Sequence, residues 1–486
     1  MKIGGIDVGT TGAKLTVYNE YGELLNKAYV TYEVSRNTGE HEIDGSVIFD
    51  GVKAVIKETT EKIGNIDAIG ITSFGESFVM LDKYDNVLMP SMLYTDPRGE
   101  DEAESFDSDA VMKIAGVKPH AMYSLPKIMW IKNNRPEIYE KADKILLFED
   151  FIVYMLSGKA QIDYSLAARV MGFDIKNLTW SDELFSSAGV DIGKMSTPVP
   201  SGSVAGPVKA EIGKELGLFG TVIVNGCHDQ VASATGAGAF DAGIAVDGTG
   251  TVECVTPIFD KIPENKQIYE DCYSVVPYIE KGKYVCYALS FTGGAAVKWF
   301  RDNFAEDMSY KELDSLIDNT PGSVLVLPHF AGAANPYMDS YSKAAFVGVT
   351  METTKADMYK AIMEGVTYEM LLNLKHLEAA GISPEKLYAT GGGAASEVWL
   401  QMKANILGVP IVALDAPEVG TAGTIMLTGV ALGVFKDIKA AAAVMVKEKE
   451  TYYPDEKLHG EHQKIYKRYE KLYEAVRPII KEEENE

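Results

Sequence analysis

Residues 2–8, KIGGIDV, form an apolar run that stops at Gly9-Thr10-Thr11-Gly12 and resumes as AKLTVY, followed by a polar turn at NEYG and the stretch ELLNKAYVTY. Short apolar runs parted by glycine and polar residues are the pattern of strands joined by turns. Beyond a polar loop, Asp44 is placed to cap a helix whose apolar face carries Val47, Ile48, Val52, Val55 and Ile56 and which ends near Gly64. IDAIGITS then reads as a buried strand. Strand, strand, strand, helix, strand predicts a mixed sheet covered by helices, not an all-parallel one.

Near residue 240 the pattern starts again. GIAVDGTGTVECVTPI, residues 243–258, repeats the opening layout of a strand, a glycine-threonine turn and a second strand. SVLVLPHF, LYATGG and PIVALD read as further strands, with helices over 355–380 and from Ser396. Residues 419–435, VGTAGTIMLTGVALGVF, are uncharged, too short for a bilayer span and rich in glycine, so they read as a buried helix. Ile465, Tyr469, Leu472 and Val476 recur at helical spacing as a core-facing stripe, and only the terminal KEEENE reads as disordered. Matching halves imply two domains, 1–241 and 242–486, facing a cleft with one glycine-threonine turn on each wall.

The length of 486 residues, too great for one ordinary core, agrees with two domains. Its 70 acidic and 46 basic side chains leave a formal charge of −24, which repels nucleic acid and anionic membrane over most of the surface. Cys227, Cys254, Cys272 and Cys286 show no C-x-x-C pairing and the chain opens on a strand, so a reducing, cytoplasmic setting without a signal peptide is expected. His459 and His462 lack the partners of a zinc pattern and are expected on a solvated helix face. Oligomeric state is not encoded in the pattern; a homodimer is the default expectation.

IDVGTTGAK, residues 6–14, is built like a phosphate turn yet fits neither common phosphate motif. No Gly-Lys pair is followed by Ser or Thr, and no G-x-G-x-x-G occurs. A tight hairpin still aims backbone N–H groups and threonine hydroxyls at an anion, since glycine permits the left-handed backbone and close approach. Gly9, Thr10, Thr11 and Gly12 are placed to do this, with Lys14 adding a cation and Asp7 facing Mg²⁺ through water. Alone the turn is an ordinary hairpin; its echo at Asp247, Gly248, Thr249 and Gly250 argues for a ligand. In GCHDQVASATGAG, residues 226–238, Asp229 ends an apolar strand and precedes a closely packed small-residue helix. It is placed to take a proton from a hydroxyl, or simply to cap that helix, and His228 beside it is a ligand contact or a structural hydrogen bond. TGGG at 390–393, between strand and helix, lets a planar ring lie against the backbone.

These stretches together resemble the FGGY family of carbohydrate kinases. MYSLPKIMWIKNN at 122–134 fits its first signature and AAFVGVTMETTKADMYKAIME at 344–364 its second; FTGGAAVKWFRD at 291–302 and EVGTAGTIMLTGVALG at 418–433 follow in the expected order. The resemblance covers nearly the whole chain. It implies an α/β fold of two actin-like (ribonuclease H-like) domains with a central interdomain cleft, the first binding sugar and carrying the catalytic aspartate, the second binding nucleotide. ATP and Mg²⁺ are the implied cofactors. Residue by residue, it implies that Gly9, Thr10, Thr11, Lys14, Gly248 and Thr249 hold the phosphates, and that Asp7 faces the metal. Gly293, Gly294, Gly392, Gly393 and Ser396 fall where adenosine is held, and Asp229 aligns with the general base. Asp229 would accept the proton of a primary sugar hydroxyl while domain closure expels water.

The sugar site is expected from TSFGESF at 72–78 and YTDPR at 94–98, with Glu76, Tyr94, Asp96, Arg98, Arg169, Asp229 and Gln230 as contacts. Structural alternatives are packing and an ion pair for Tyr94 and Arg98, and anchoring of Asp96 or Glu76 by Arg169. Gly75 and Glu76 stand where glycerol kinases tend to have Arg-Glu and xylulokinases Q-M-H-G, which counts against glycerol and weakens D-xylulose. DYSLAARVMGFD at 163–174, GCHDQ and VDGTGTVE look closest to the fuculokinase-like branch. A small ketose such as L-fuculose or D-xylulose is therefore expected, with a polyol or an aldonate as the alternative. An actin-like ATPase is opposed by the two signatures, a non-catalytic sugar sensor by the intact Asp7, Lys14 and Asp229, and a nicotinamide dehydrogenase by the missing glycine fingerprint.

Overall fold

The computed structural model describes residues 1–37, 39–415 and 418–483, so the last three residues of KEEENE lie outside the described ones. The chain divides into two compact units, Met1–Gly238 with Val275–Tyr284 and Glu418–Val446, and Ala239–Ser274 with Val285–Pro417 and Lys447–Glu486. The sequence pattern offers one boundary, at 241/242; the chain first crosses at Gly238–Ala239 and then returns twice to the first unit.

Strands β1 (Lys2–Val8), β2 (Gly12–Asn19), β3 (Leu24–Thr31), β4 (Ala68–Ser73), β5 (Val204–Pro207) and β6 (Val222–His228) form the sheet of the first unit. Their order is β5-β6-β4-β1-β2-β3, with β1 antiparallel to β2 and parallel to β4. Helix α1 (Gly45–Ile63) starts at Asp44, whose carboxylate accepts from the Ser46 N–H at 2.7 Å, and ends at Gly64. Its buried stripe is Ile48, Phe49, Val52, Val55, Ile56 and Thr59; Val47 lies off that stripe and is exposed, against expectation. The stripe packs with Ile6, Val8, Leu15, Ile69 and Ile71 of the strands.

Helix α2 (Asp229–Gly236) follows β6 directly and crosses the helix Val419–Ala431, the uncharged run of the sequence. Small residues let the two backbones touch: a Cβ on Gly236 would stand 1.8 Å from the Val419 carbonyl oxygen, and one on Gly423 2.0 Å from that of Ala232. On the strand side, Gly5 and Gly70 admit Thr421 and Thr428 in the same way, at 2.6 and 2.2 Å. This is why residues 418–446 return to the first unit.

In the second unit β7 (Ile244–Thr249), β8 (Glu253–Phe259), β9 (Lys386–Thr390), β10 (Ile411–Leu414) and β11 (Glu448–Tyr452) run in the order β8-β7-β9-β10-β11. β7 is antiparallel to β8 and parallel to β9, the relation of β1 to β2 and β4, so the repeat read from the sequence is one of topology. Helices α3 (Gly294–Phe304), α4 (Lys355–Ala379) and α5 (Glu397–Leu407) belong to this unit, and a reciprocal Thr354–Asp357 capping box starts α4. SVLVLPHF contributes only Leu325–Leu327 as strand. Of the C-terminal stripe, Tyr469 and Leu472 are buried and Ile465 and Val476 half-buried. In the helix Glu456–Tyr469 the buried residues are His462, Tyr466 and Tyr469. His462 is not on a solvated face: its Nδ1 lies 2.7 Å from the Tyr368 hydroxyl, and His459 Nδ1 lies 2.9 Å from the Asn405 carbonyl. Among the described residues no helix is long and apolar enough to cross a membrane.

Gly423→Ala is expected to destabilise the protein by about 1–3 kcal/mol in chemical denaturation, because the added methyl overpacks a backbone contact. Gly460→Ala, in a helix position with open space for a Cβ, is expected to stabilise it by about 0.5–1 kcal/mol.

Candidate active site

In the β1–β2 turn, Gly9 N–H donates to the Gly12 carbonyl at 3.0 Å and Tyr32 N–H to the Thr11 carbonyl at 3.2 Å. The Tyr32 hydroxyl donates to the Gly9 carbonyl. Gly12 has no room for a side chain, since a Cβ would stand 2.4 Å from the Val30 carbonyl oxygen. Thr10 is half-buried and Thr11 exposed. Asp7 and Lys14 pair across the hairpin, and Lys14 Nζ lies 3.1 Å from Glu418 Oε2. Glu418 also accepts from Lys27; these two lysines outweigh its burial and hold its carboxyl below the usual range. Asp7 is different. Burial pushes its carboxyl up, Glu418 adds to the rise, and Lys14 opposes it.

Asp229 opens α2, where β6 stops. It is not the helix cap: the cap position is His228, whose side chain makes no cap bond. Burial, then the charges of Asp7 and Glu76, push the Asp229 carboxyl up to about 8, while the Gln230 N–H and Arg169 pull the other way. A third of the side chain (33%) still meets solvent, as a group that exchanges protons with a ligand requires. His228 Nε2 lies 3.3 Å from Asp229 Oδ1. Burial, helped by Arg169, holds that imidazole well below its ordinary pKa, so the contact is one with a neutral ring and not an ion pair. Behind it His228 N–H donates to Ser165 Oγ at 2.9 Å, and Ser165 donates to Asp163, also at 2.9 Å.

Glu76 has φ +67°, a left-handed backbone rare outside glycine, and is buried. Arg169 Nε donates to its Oε1 at 2.6 Å, Arg169 Nη2 reaches the same oxygen, and Ser124 Oγ donates to its carbonyl at 2.6 Å. The guanidinium lies over the Tyr123 ring at 5.1 Å. Gly75 is needed here, because a Cβ would stand 2.9 Å from Arg169 Cγ and 3.1 Å from His228 Cδ2. Tyr94, partly exposed, lies in the field of Glu76 and Asp229; burial and then those charges raise its hydroxyl. Gln230 follows Asp229 and is half-buried. Asp96 and Arg98 are engaged with each other: Arg98 Nη2 donates to Asp96 Oδ2 and to Glu42 Oε1, each at 2.6 Å, and Arg98 Nε to Asp96 Oδ1 at 2.9 Å. His41 N–H adds a bond to Asp96 Oδ2 at 2.8 Å. Lys127, buried below this pair, donates to the Asp96 carbonyl.

In the second unit two glycine-bearing segments close on the β7–β8 turn. A Cβ on Gly391 would stand 2.5 Å from the Thr249 carbonyl oxygen, and one on Gly393 2.5 Å from Thr249 Cγ2. Gly293 N–H donates to the Thr251 carbonyl at 2.9 Å and Gly294 N–H to that of Gly250 at 2.8 Å, which sets the first turn of α3 against the same bend. Gly248 stays within β7, and Gly392 has open space where a side chain would be. Ser396 caps α5 through a bond from Trp399 N–H at 3.2 Å, a structural task independent of any ligand. Beneath the turn, Lys403 of α5 binds Asp247, Thr249 and Glu253.

A hairpin-and-parallel-strand core repeated in two units, each presenting a glycine-threonine turn, defines an actin-like ATPase fold. The chain belongs to the FGGY family of carbohydrate kinases: residues 2–236 match the family's N-terminal domain and residues 248–432 its C-terminal domain. It is an ATP-dependent sugar kinase. It is 26% identical to the xylulose kinase of Staphylococcus epidermidis over 98% of this chain and 97% of that one. It is 30% identical to the gluconokinase of Bacillus subtilis over 90% of this chain and 89% of that one. The crystal structure of ligand-bound xylulose kinase from Lactobacillus acidophilus superposes with a TM-score of 0.91 at 26% identity, covering 98% of each chain.

Several charged groups of these sites escape the sequence reading. Glu418 and Asp163 stand at the edge of stretches that mark the family, and Lys403 lies inside the helix that follows the glycine run. Helical spacing marks Lys403 as one more polar position; nothing in it shows a buried ammonium. Arg169→Met, which leaves the Glu76 carboxylate buried and unpaired, is expected to cost about 3–5 kcal/mol in chemical denaturation. The Arg169→Met/Glu76→Gln double variant is expected to recover most of that loss.

Proposed function

We propose that the chain transfers the γ-phosphoryl group of ATP to a primary hydroxyl of a neutral ketose, with D-xylulose the first candidate. The observation that carries the reading is Asp229, partly exposed at the end of β6 with its carboxyl pushed up to about 8. A base of that pKa is matched to removing a hydroxyl proton near neutral pH. His228, held neutral, orients its oxygen. The first unit is the sugar-binding domain and the second the nucleotide-binding domain. Glu76, Tyr94, Arg169 and Gln230 contact the sugar, while Asp96 and Arg98 stiffen the wall beside them. The Gly9–Thr11 turn with Lys14, and Gly248 with Thr249, hold the phosphates; Gly293, Gly294, Gly392 and Gly393 flank the adenosine.

A neutral substrate is favoured over an aldonate by charge. The charges of Asp7 and Glu76 both act on Asp229, and Arg169 and Arg98 are already committed to Glu76 and to Asp96 with Glu42. A substrate carboxylate would enter a negative field. The xylulose kinases among the relatives support the same choice.

Asp7 is the residue that would hold Mg²⁺. Burial raises its pKa against the opposing charge of Lys14, and among the described residues no cluster of three or more His, Cys, Asp or Glu forms a protein cage. One carboxylate completed by water and phosphate oxygens is the usual Mg²⁺ arrangement. Bound there, the ion would supply neutralisation of the charge that spreads over the transferring group. Cys227 and Cys286, free and buried, are compatible with the reducing cytoplasm.

In an ATP-consumption assay D-xylulose is expected to give the highest kcat/KM among D-xylulose, L-fuculose, glycerol and gluconate; gluconate in first place would overturn the neutral-substrate reading. Asp229→Asn is expected to lower kcat by about 10²- to 10⁴-fold, and turnover near the parent level would remove Asp229 from its role. The base works ionised, so kcat/KM is expected to fall about tenfold per pH unit below its pKa of about 8. Glu76→Gln removes a neighbouring negative charge, lowers that pKa and is expected to move the acid limb to lower pH.

A further inference from the structure

Asp247 and Thr249 alternate along β7, and Glu253 stands opposite Thr249 across the hairpin, so the three side chains share one face of the sheet. Lys403 reaches that face from α5. Its ammonium donates to Asp247 Oδ2 at 2.6 Å, to Thr249 Oγ1 at 2.5 Å and to Glu253 Oε1 at 2.8 Å. An ammonium has three donors, and all of them are used. The side chain is only 1% exposed, so Lys403 has neither a free donor nor a path to touch a ligand.

What Lys403 governs is the direction of the Thr249 hydroxyl. An oxygen that accepts from an ammonium still has its own hydrogen to give. Within the protein the acceptor for that hydrogen is Asp247 Oδ1, at a long 3.3 Å. A phosphate oxygen arriving at the turn is a better one. We propose that Lys403 is a positioning residue for ATP: by occupying a lone pair of Thr249 it keeps that hydroxyl a donor to the polyphosphate. This rests on the reading that the β7–β8 turn holds the phosphates.

The charge state of the cluster fits the task. Burial, opposed by Lys403 and helped by Asp247, pushes the Glu253 carboxyl up to about 8, and its Oε2 has no hydrogen-bond partner among the described residues. Burial opposes the Lys403 charge, but Asp247 and Glu253 outweigh it and keep the ammonium protonated. The buried ammonium between the two carboxyl groups offsets negative charge below the turn that an incoming anion would meet.

Steady-state kinetics of single and double variants test this. Thr249→Val is expected to raise KM for ATP about tenfold, the worth of one bond to a charged acceptor, with KM for sugar unchanged. Lys403→Met is expected to raise KM for ATP by up to about tenfold, again without moving KM for sugar. Because both act through one hydroxyl, adding Thr249→Val to Lys403→Met is expected to change nothing further. An unaltered KM for ATP in Lys403→Met, or effects that multiply in the double variant, would overturn the proposal. A neutral Thr249→Val would instead overturn the assignment of the turn to phosphate. Should Lys403→Met fail to fold, the same cycle is run in the Asp247→Asn background, where Glu253 can remain protonated and no unpaired carboxylate is left. The same two outcomes decide it there.

Discussion

Backbone contact between α2 and the helix Val419–Ala431 is the constraint on which the first unit depends. Glycines 236 and 423 let the two helices meet at a separation that any side chain would prevent. The second helix is in turn pressed on β1 and β4 through Gly5 and Gly70. Asp7 on β1 and Asp229 at the start of α2 are thereby fixed relative to one another by main chain, not by flexible side chains. Reactions that depend on positioning lose rate steeply when groups shift by an ångström, so this rigidity has functional content.

Both units manage charge in a similar way. In the first unit Lys14 is committed to Glu418, Arg169 to Glu76, and Arg98 to Asp96 and Glu42. In the second, Lys403 is committed to Asp247 and Glu253. Paired cations stiffen the walls, so the proposed phosphate binding would rest chiefly on backbone N–H groups and hydroxyls, with Lys14, shared with Glu418, beside the first turn. Burial is the main cause that raises the carboxyls of Asp7 and Asp229, the two groups to which the proposed chemistry falls.

Much of this was legible in the sequence because it is local. The β1–β2 hairpin, the capped α1, the echo at Asp247–Gly250 and the small-residue run at 419–435 each follow from patterns a few residues long. Family motifs then single out Asp229 and the glycine segments as candidates. What escaped depends on contacts remote in the chain. Lys403 and Glu253 are 150 residues apart, and His462 is buried because Tyr368, 94 residues earlier, meets it. Val47 was misplaced by a single position, since a helical stripe wide enough to admit it also fits the neighbouring face. Asp96 and Arg98 illustrate a different difficulty: polar residues in a motif can serve either a ligand or each other, and only geometry distinguishes the two.

The return of residues 418–446 to the first unit bears on how the protein is made. A ribosome that has released residues 1–241 has produced every strand of the first sheet but not the helix that seals its glycine-lined face. The nascent half must wait, with Gly5, Gly70 and Gly236 uncovered, until more than four hundred residues have emerged. Completion of the first unit is therefore a late event in synthesis, and a fragment cut at the apparent midpoint of the sequence would lack a wall of its own core.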